Sequence, residues 1–256
     1  MNHLQDKTEK PRKKKHLTSL LITLVLVAII LCYATEAYLR HYYHALDTAV
    51  AATASDETVT VTNPDGDTYY FIPSDIRAGL IFYSGGKVEY TAYAPLMHKL
   101  AENGILCVLP HLTGNLAILD GNAADGYMEE YPEVENWYVG GHSLGGVAAS
   151  RYADKHSDSL SGLILLASYS TRDLSDSGLN VISVYGSEDC ILDMDQYEKA
   201  RQNLPPDFRE YVIDGGIHAY FGNYGEQKGD KTPSISREEQ QDTTVDYILY
   251  SMNPEE

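Results

Sequence analysis

The sequence predicts an α/β fold, with a mostly parallel sheet flanked by helices on both faces, and three observations support it. Short apolar segments alternate with segments of helical length along most of the chain. The apolar segments contain few polar residues, which is typical of strands that are buried on both faces. The length of 256 residues, 43% of them hydrophobic, suits one globular domain with an additional N-terminal segment.

The N-terminal segment consists of a basic tail and a long apolar stretch. Residues 1–16 contain six Lys and Arg residues and two acidic ones, whereas residues 17–34 carry no charge. A helix formed by this stretch would be about 27 Å long, close to the thickness of the hydrocarbon core of a bilayer. We therefore expect residues 17–34 to be a transmembrane anchor, with the basic tail in the cytoplasm and the rest of the chain outside the cell membrane.

A cleavable signal peptide, which would make the protein a secreted one, is the alternative to a retained anchor. Thr35 and Ala37 form a loose small-x-small pattern that could serve as the cleavage site. The length of the apolar stretch and the weakness of this pattern favour the anchor. Residues 35–57 contain no Gly or Pro and are rich in Ala and Tyr. We expect them to extend the helix as a stalk that links the anchor to a globular domain at residues 58–256.

The globular domain is predicted to begin with a β-hairpin and to continue with alternating strands and helices. The hairpin joins strands at residues 59–62 and 68–72 around a Pro-Asp-Gly turn. Gly104 ends the first helix of the domain, and Ser236 with Glu239 forms a capping box that opens the last one. Further strands are expected at residues 78–83, 105–109, 137–140, 163–166, 181–185 and 210–213, and helices at residues 92–103, 144–156, 196–203 and 236–252.

The distribution of charge excludes one class of partner. Beyond residue 16 the chain carries 13 basic and 35 acidic side chains, and a body that is so acidic repels nucleic acid. Because neither a CxxC nor an HExxH pattern is present, no zinc site is predicted. The three cysteines provide no disulfide framework, and we expect free, buried thiols at Cys32, Cys107 and Cys190.

The candidate chemistry centres on Gly141-His142-Ser143-Leu144-Gly145, which has the G-x-S-x-G pattern of a nucleophile elbow. In such an elbow a strand turns sharply into a helix, and the strained central residue presents its hydroxyl to solvent. The context fits this interpretation, because the apolar residues 137–140 precede the pattern and the helical segment 144–156 follows it. Ser143 is therefore the candidate nucleophile.

A serine hydroxyl is a good nucleophile only when a base removes its proton and a third group orients that base. The partners of an elbow serine follow it in the chain, first the acid and then the histidine. Two histidines follow Ser143, and His156 is expected to cap the end of the elbow helix. His218 is the candidate base, because it lies in a glycine-rich loop at the edge of the sheet where ligands bind. Asp189, which follows the strand expected at 181–185, is the candidate acid.

The oxyanion that forms during acyl transfer needs hydrogen-bond donors that are already in place. The backbone N–H of Leu144, the residue after the candidate nucleophile, is expected to supply one donor. The second donor should come from the turn after residues 78–83, where two glycines permit a close approach of the backbone. Gly86 is the preferred donor in this turn, and Lys87 is the next choice.

With these motifs the chain resembles the α/β-hydrolase family, in particular its compact dienelactone-hydrolase-like and cutinase-like serine esterases. The resemblance covers about residues 58–252. It implies ester hydrolysis through an acyl-enzyme on Ser143, with His218 acting as base and then acid, Asp189 fixing its tautomer, and no cofactor. True dienelactone hydrolases have a cysteine nucleophile, so the serine argues against a lactone substrate. The matching motifs are Phe82-Tyr83-Ser84-Gly85-Gly86-Lys87, Gly140-Gly141-His142-Ser143-Leu144-Gly145-Gly146, Tyr185-Gly186-Ser187-Glu188-Asp189 and Gly215-Gly216-Ile217-His218.

Two other functions remain open. An acyltransferase would use the same three residues with another acceptor in place of water, and a non-catalytic binding module would keep the fold without the reaction. The binding module is disfavoured because all candidate positions are present together. No lid is predicted, because residues 167–180 are polar and rich in turn-forming residues. The expected substrate is a small ester, whose acyl chain and alcohol the sequence leaves open, as it does the oligomeric state.

Several further residues are weaker candidates. His111 follows an expected strand, where it could either line a pocket or belong to a surface loop. His142, inside the elbow, is expected to pack rather than to react. Loops at residues 111–116 and 220–231 are expected to rim an open site. Four tyrosines could line a pocket for an apolar or sugar-bearing substrate, although packing explains most of them: Tyr83, Tyr169, Tyr220 and Tyr224.

Overall fold

The computed structural model describes residues 12–252, with side chains from residue 16 onward. The chain divides into two compact units that meet between His41 and Tyr42. The first unit contains helix α1 (Arg12–Arg40). Its part His16–Arg40 contains an 18-residue window with a mean hydropathy of 2.6 and no buried residue, so it is long and apolar enough to cross a membrane. Membrane anchors and signal sequences share these properties, and most of the predicted basic tail lies outside the described residues.

The second unit is built around an eight-stranded sheet. Its strands are β1 (Val59–Thr62), β2 (Thr68–Pro73), β3 (Ala78–Tyr83), β4 (Ile105–Pro110), β5 (Trp137–His142), β6 (Gly162–Leu166), β7 (Asn180–Gly186) and β8 (Arg209–Ile213). The strand order is β1-β2-β4-β3-β5-β6-β7-β8. The pairs β1–β2 and β2–β4 are antiparallel, and all the other pairs are parallel. A mostly parallel sheet is the fold class that the sequence predicts.

The helices of this unit differ from the predicted ones mainly at their ends. They are α2 (Asp47–Ala51), α3 (Ala94–Glu102), α4 (Tyr127–Glu130), α5 (Leu144–His156), α6 (Met194–Ala200) and α7 (Arg237–Met252). The helix expected from residue 92 begins as a 3-10 turn, and α3 follows with Pro95 in its first turn, where proline is tolerated. Gly104 takes a left-handed conformation after α3, with φ 87°. Ser236 Oγ accepts the Glu239 N–H at 3.1 Å, which is the cap predicted for α7.

Apolar side chains form one core cluster on each face of the sheet. Leu80 and Phe82 belong to the cluster that includes the buried residues of α3 and α7. Ile81 and Tyr83 belong to the cluster that includes the buried residues of α5. Because neighbouring side chains of a strand point to opposite faces, β3 is buried on both sides. For this reason its sequence lacks the alternation of polar and apolar residues that is typical of a strand with one solvent-exposed face.

The segment at residues 35–57 differs from the predicted helical stalk. Helix α1 ends within this range, and the second compact unit already begins at Tyr42. Tyr43 forms a parallel bridge with Val88, and Ala49 in α2 is fully buried. Much of the Ala- and Tyr-rich composition that suggested a continuous helix therefore belongs to residues that pack within the globular unit.

Candidate active site

The parallel strands bring four loops to one edge of the sheet. In the register of β3 and β5, Tyr83 lies opposite Gly141, and in that of β7 and β8, Gly186 lies opposite Ile213. The segments that follow these four strands therefore lie beyond the carboxyl ends of the parallel strands, where open α/β sheets bind ligands. They carry the candidate residues Gly86, Ser143, Leu144, Asp189 and His218.

Ser143 lies in the sharp turn between β5 and α5. Its backbone has φ 52° and ψ −121°, a combination that residues with a side chain rarely adopt. The Ser143 N–H donates to the Leu166 carbonyl at 2.9 Å, and the Ser143 carbonyl accepts the Ser168 hydroxyl at 2.7 Å. These contacts hold the strained turn in place, as the G-x-S-x-G pattern predicts.

Two glycines of the elbow are required by the close approach of its strands and helix. A Cβ atom on Gly145 would lie 2.2 Å from the Tyr83 carbonyl oxygen at the end of β3. A Cβ atom on Gly141 would lie 2.5 Å from the Gly145 carbonyl carbon. Any larger residue at either position would push α5 away from the edge of the sheet.

His218 and Asp189 form a buried pair. Nδ1 of His218 lies 2.8 Å from Oδ2 of Asp189, and the two side chains are 2% and 1% exposed. The other carboxylate oxygen accepts the N–H groups of Ile191 and Leu192, both at 2.8 Å. Because a carboxylate only accepts hydrogen bonds, His218 Nδ1–H donates to Asp189, and Nε2 is the ring nitrogen that remains to act as a base.

The elbow adjoins this pair through His142. The ring centroids of His142 and His218 are 4.5 Å apart, which brings the candidate base beside the residue that precedes Ser143. Within residues 12–252 no hydrogen bond joins the Ser143 hydroxyl to His218. Hydrogen bonds of this kind often become short only when a substrate is bound.

The two candidate oxyanion donors are neighbours. A Cβ atom on Gly86 would lie 3.0 Å from Leu144 Cδ2. Among the described residues, neither the Gly86 N–H nor the Leu144 N–H donates a hydrogen bond. By contrast, the Lys87 N–H donates to the Asn115 carbonyl at 2.7 Å. Of the two candidates in this turn, Gly86 is therefore the one whose N–H has no acceptor among the described residues.

Tyr93 belongs to the surroundings of the site, although the sequence does not predict it there. Its hydroxyl accepts the Gly85 N–H at 3.0 Å and shares a hydrogen bond with His142 Nδ1 at 2.8 Å. Burial and the neighbouring His218 lower the pKa of His142 well below its ordinary value, which keeps the ring neutral. His142 thus packs as expected. Nothing in the sequence pattern marks Tyr93, which is 49 residues from His142.

Comparison with known proteins identifies the family of this chain. A family model described as "Alpha/beta hydrolase family" matches residues 79–242, more than half of the chain. The chain belongs to the α/β-hydrolase family. The matched range includes every candidate site residue of this α/β hydrolase. No curated protein shows a significant match to the sequence.

Solved structures share the fold of this α/β hydrolase at low sequence identity. TT1662 from Thermus thermophilus is 13% identical with a TM-score of 0.55, covering 76% of this chain and 98% of that one. Est1E from Butyrivibrio proteoclasticus is 14% identical with a TM-score of 0.52, covering 77% and 99%. A dienelactone hydrolase from Anabaena variabilis is 15% identical with a TM-score of 0.53, covering 76% and 97%. These likenesses support the fold alone.

The tyrosines proposed as pocket residues of the hydrolase mostly have structural partners. The buried Tyr83 hydroxyl accepts the Ala124 N–H at 3.1 Å. Tyr224 is 4% exposed, and its hydroxyl donates to a glutamine side chain at 3.1 Å. The Tyr220 ring stacks under the Arg237 guanidinium at 4.5 Å. Tyr169 is partly exposed.

His111 lines a polar cavity of the hydrolase. The cavity has a volume of about 700 Å³, and Asp67, Asp120 and Tyr127 also line it. None of Ser143, Asp189 and His218 is among its lining residues. His111 is exposed in the loop after β4, so it is a surface-loop residue that also borders this open cleft.

One group of side chains in the described residues has the donor set of a metal site, and it lies outside the candidate active site. Asp56, His98 and Glu102 bring their ligand atoms within 4.8 Å of one another. His98 uses both ring nitrogens, with Nε2 2.8 Å from Asp56 Oδ2 and Nδ1 3.1 Å from the Ala52 carbonyl. These contacts fasten residues 52–56 to α3. The cysteines Cys32, Cys107 and Cys190 are free thiols, but the expectation that they are buried holds only for Cys107, because Cys32 and Cys190 are exposed.

Proposed function

We propose that this α/β hydrolase is a serine carboxylesterase that acts through an acyl-enzyme on Ser143. The observation that carries the proposal is the buried pair of His218 and Asp189, at the same sheet edge as the strained turn of Ser143. A buried carboxylate that holds the Nδ1–H of a histidine leaves Nε2 as the base that a serine nucleophile needs. The unpaired N–H groups of Gly86 and Leu144 supply the donors for the oxyanion.

In the proposed reaction the Ser143 hydroxyl oxygen attacks the carbonyl carbon of the ester while His218 Nε2 takes its proton. The carbonyl oxygen becomes an oxyanion that accepts hydrogen bonds from the Gly86 and Leu144 N–H groups. Each such donor is worth about 3 kcal/mol in the transition state. When the C–O bond breaks, the imidazolium gives its proton to the leaving alcohol, and Asp189 stabilises the charged ring. Water then attacks the acyl-enzyme with His218 again as the base, which releases the acid and restores Ser143.

Turnover of a short ester tests the assignment. Ser143→Ala and His218→Ala should each lower turnover by several orders of magnitude, and the double variant should be little worse because the residues act as a unit. Ser159→Ala is the matched control, because Ser159 is exposed beyond the end of α5 and bonds only the His156 carbonyl. Ester hydrolysis that survives in Ser143→Ala would exclude the proposal.

An acyltransferase on the same residues is distinguished by its products. A competing alcohol is added to the reaction, and the released acid is compared with the newly formed ester. The esterase proposal predicts that the acid predominates. Predominant transfer to the alcohol would show that water is not the preferred acceptor, while complete loss of reaction in Ser143→Ala would still support the acyl-enzyme.

We also propose that α1 retains the hydrolase in the membrane, with the catalytic domain on the outer side. The support is an exposed apolar helix of 25 residues behind a basic N-terminal tail. Cleavage as a signal peptide near residue 38 is the alternative, and it would release the same catalytic domain.

A further inference from the structure

The loop after β3, residues 84–89, pairs with the first residues of the second unit. The Tyr43 N–H donates to the Lys87 carbonyl at 2.7 Å, and the Glu89 N–H donates to the Tyr43 carbonyl at 2.9 Å. These two bonds flank Val88, which is 2% exposed, in a parallel bridge. We call residues 84–89 the β3 loop and residues 43–46 the N-terminal clamp.

The N-terminal clamp also contacts the loop after β8, which carries the candidate base His218. The Ala45 N–H donates to Glu89 Oε2 at 3.1 Å, which fastens the clamp to the end of the β3 loop. The Leu46 N–H donates to the Asn223 carbonyl at 2.8 Å. Asn223 lies five residues after His218 in the chain. The clamp thus connects the loop that carries the candidate oxyanion donor with the loop that carries the candidate base.

The backbone on both sides of Gly86 is fixed by these contacts. On one side the Gly85 N–H donates to the buried Tyr93 hydroxyl. On the other side the Lys87 N–H and carbonyl are held by Asn115 and by Tyr43. Lys87 has φ 63°, in the left-handed region that residues with side chains avoid, so this conformation persists only while neighbouring contacts hold it.

We propose that the N-terminal clamp positions the Gly86 N–H as the second oxyanion donor. Residues 43–46, which follow α1 in the chain, would then be positioning residues of the active site. The inference rests on the proposed esterase function. Without the Tyr43 N–H, the hydrogen bond from Tyr43 to the Lys87 carbonyl is lost and the strained turn at Lys87 relaxes. The Gly86 N–H then no longer points to the position that the oxyanion occupies.

The position of the clamp in the sequence has a consequence for processing. A cut before Tyr43, including signal-peptide cleavage near residue 38, leaves the clamp attached to the catalytic domain. A cut after Leu46 removes it. The proposal therefore predicts that only a cut of the first kind releases a fully active enzyme.

The test compares full-length variants of the clamp. Tyr43→Pro removes the N–H that Lys87 accepts, and Glu89→Ala removes the carboxylate that accepts the Ala45 N–H. Tyr43→Phe keeps the backbone bonds and is the control at the same position. Tyr42→Pro controls for the effect of a proline ring in this segment, because the Tyr42 N–H donates no hydrogen bond among the described residues and none is lost.

Three quantities are measured for each variant: the concentration of active sites by titration with a fluorophosphonate, kcat and KM for 4-nitrophenyl acetate, and Ki for phenylboronic acid. The boronic acid forms a tetrahedral adduct with the serine and places an oxygen where the oxyanion forms. We expect Tyr43→Pro and Glu89→Ala to lower kcat per active site by about tenfold or more and to raise Ki by a similar factor, with KM little changed. Both controls should match the wild type.

Two results would overturn the clamp proposal. One is a wild-type kcat per active site and Ki in both clamp variants. The other is a loss of total activity that matches the loss of active sites counted with the fluorophosphonate. In that case the clamp only stabilises the folded protein and does not position the oxyanion donor. A wild-type protein that hydrolyses no ester and takes up no fluorophosphonate would instead overturn the proposed function on which the inference rests.

Discussion

Nδ1 of His218 lies 2.8 Å from Oδ2 of Asp189, and the other oxygen of this carboxylate accepts the N–H groups of Ile191 and Leu192 in the turn that follows it. The neighbouring Glu188 faces away and pairs with Lys231 at 2.8 Å. Two adjacent acidic residues therefore have different tasks. The buried one orients a histidine, and the exposed one forms a surface ion pair that contributes little to stability.

The difference between these two carboxylates predicts the effect of amide substitutions. Asp189→Asn replaces an acceptor with a group that can stabilise the wrong tautomer of His218, so kcat should fall by about 10⁴-fold. Glu188→Gln, the matched control, should keep wild-type turnover. The measurement is kcat for a short ester at neutral pH. Equal activity of the two variants would contradict the role of Asp189.

The buried His142 predicts a pH dependence of stability. Burial and His218 depress its pKa in the folded state, so below about pH 6.5 the unfolded chain binds a proton that the folded chain does not. This residue therefore lowers stability progressively as the pH falls below that value, by up to about 1.4 kcal/mol per pH unit, and has no such effect above it.

Urea unfolding at pH 7.5, 6.5 and 5.5 measures this effect. The free energy of unfolding of the wild type should fall more steeply below pH 6.5 than that of His142→Gln, which cannot titrate there. Tyr93→Phe, which removes the hydroxyl bonded to His142 Nδ1, should lower stability at every pH by about 1–3 kcal/mol because it leaves buried groups unpaired. Identical pH slopes in wild type and His142→Gln would contradict the buried neutral state.

The fold and the site residues differ in how far the sequence predicts them. The strands follow from their own apolar composition, and the turn at Ser143 follows from glycines within two residues of it. Those features are local. The contact of Tyr93 with His142 and the bridge of Tyr43 with Val88 depend on packing between distant segments. The Ala- and Tyr-rich composition of residues 35–57 favours a helix. It contains no signal for the bridge between Tyr43 and Val88, because that bridge depends on a segment more than 40 residues away.

The segment 167–180 predicts that the site has no lid. It contains no helix, and its leucines Leu174 and Leu179 are buried at 2% and 3% exposure, so they are not available for an apolar lid face. The enzyme should therefore hydrolyse short esters in free solution. Its rate, measured against substrate concentration through the solubility limit, should rise smoothly. A sharp increase at that limit, with poor activity below it, would reveal a covering element.

The helix α1 predicts association with membranes. In a bacterial host the full-length protein should sediment with membranes, and protease added outside wall-stripped cells should cut it. A variant that lacks residues 1–37 is the control and should be found in the soluble fraction. A soluble product of the full-length gene that begins near residue 38 would identify α1 as a cleaved signal peptide.

Covalent labelling of Ser143 tests the central claim most directly. A fluorophosphonate reacts with serines that are activated by a base and requires no knowledge of the substrate. The wild-type protein should be labelled at a single site, which peptide mass spectrometry should locate at Ser143. Ser143→Ala and His218→Ala should remain unlabelled, whereas the control Ser159→Ala should react like the wild type. Labelling at another serine, or equal labelling of Ser143→Ala, would contradict the account.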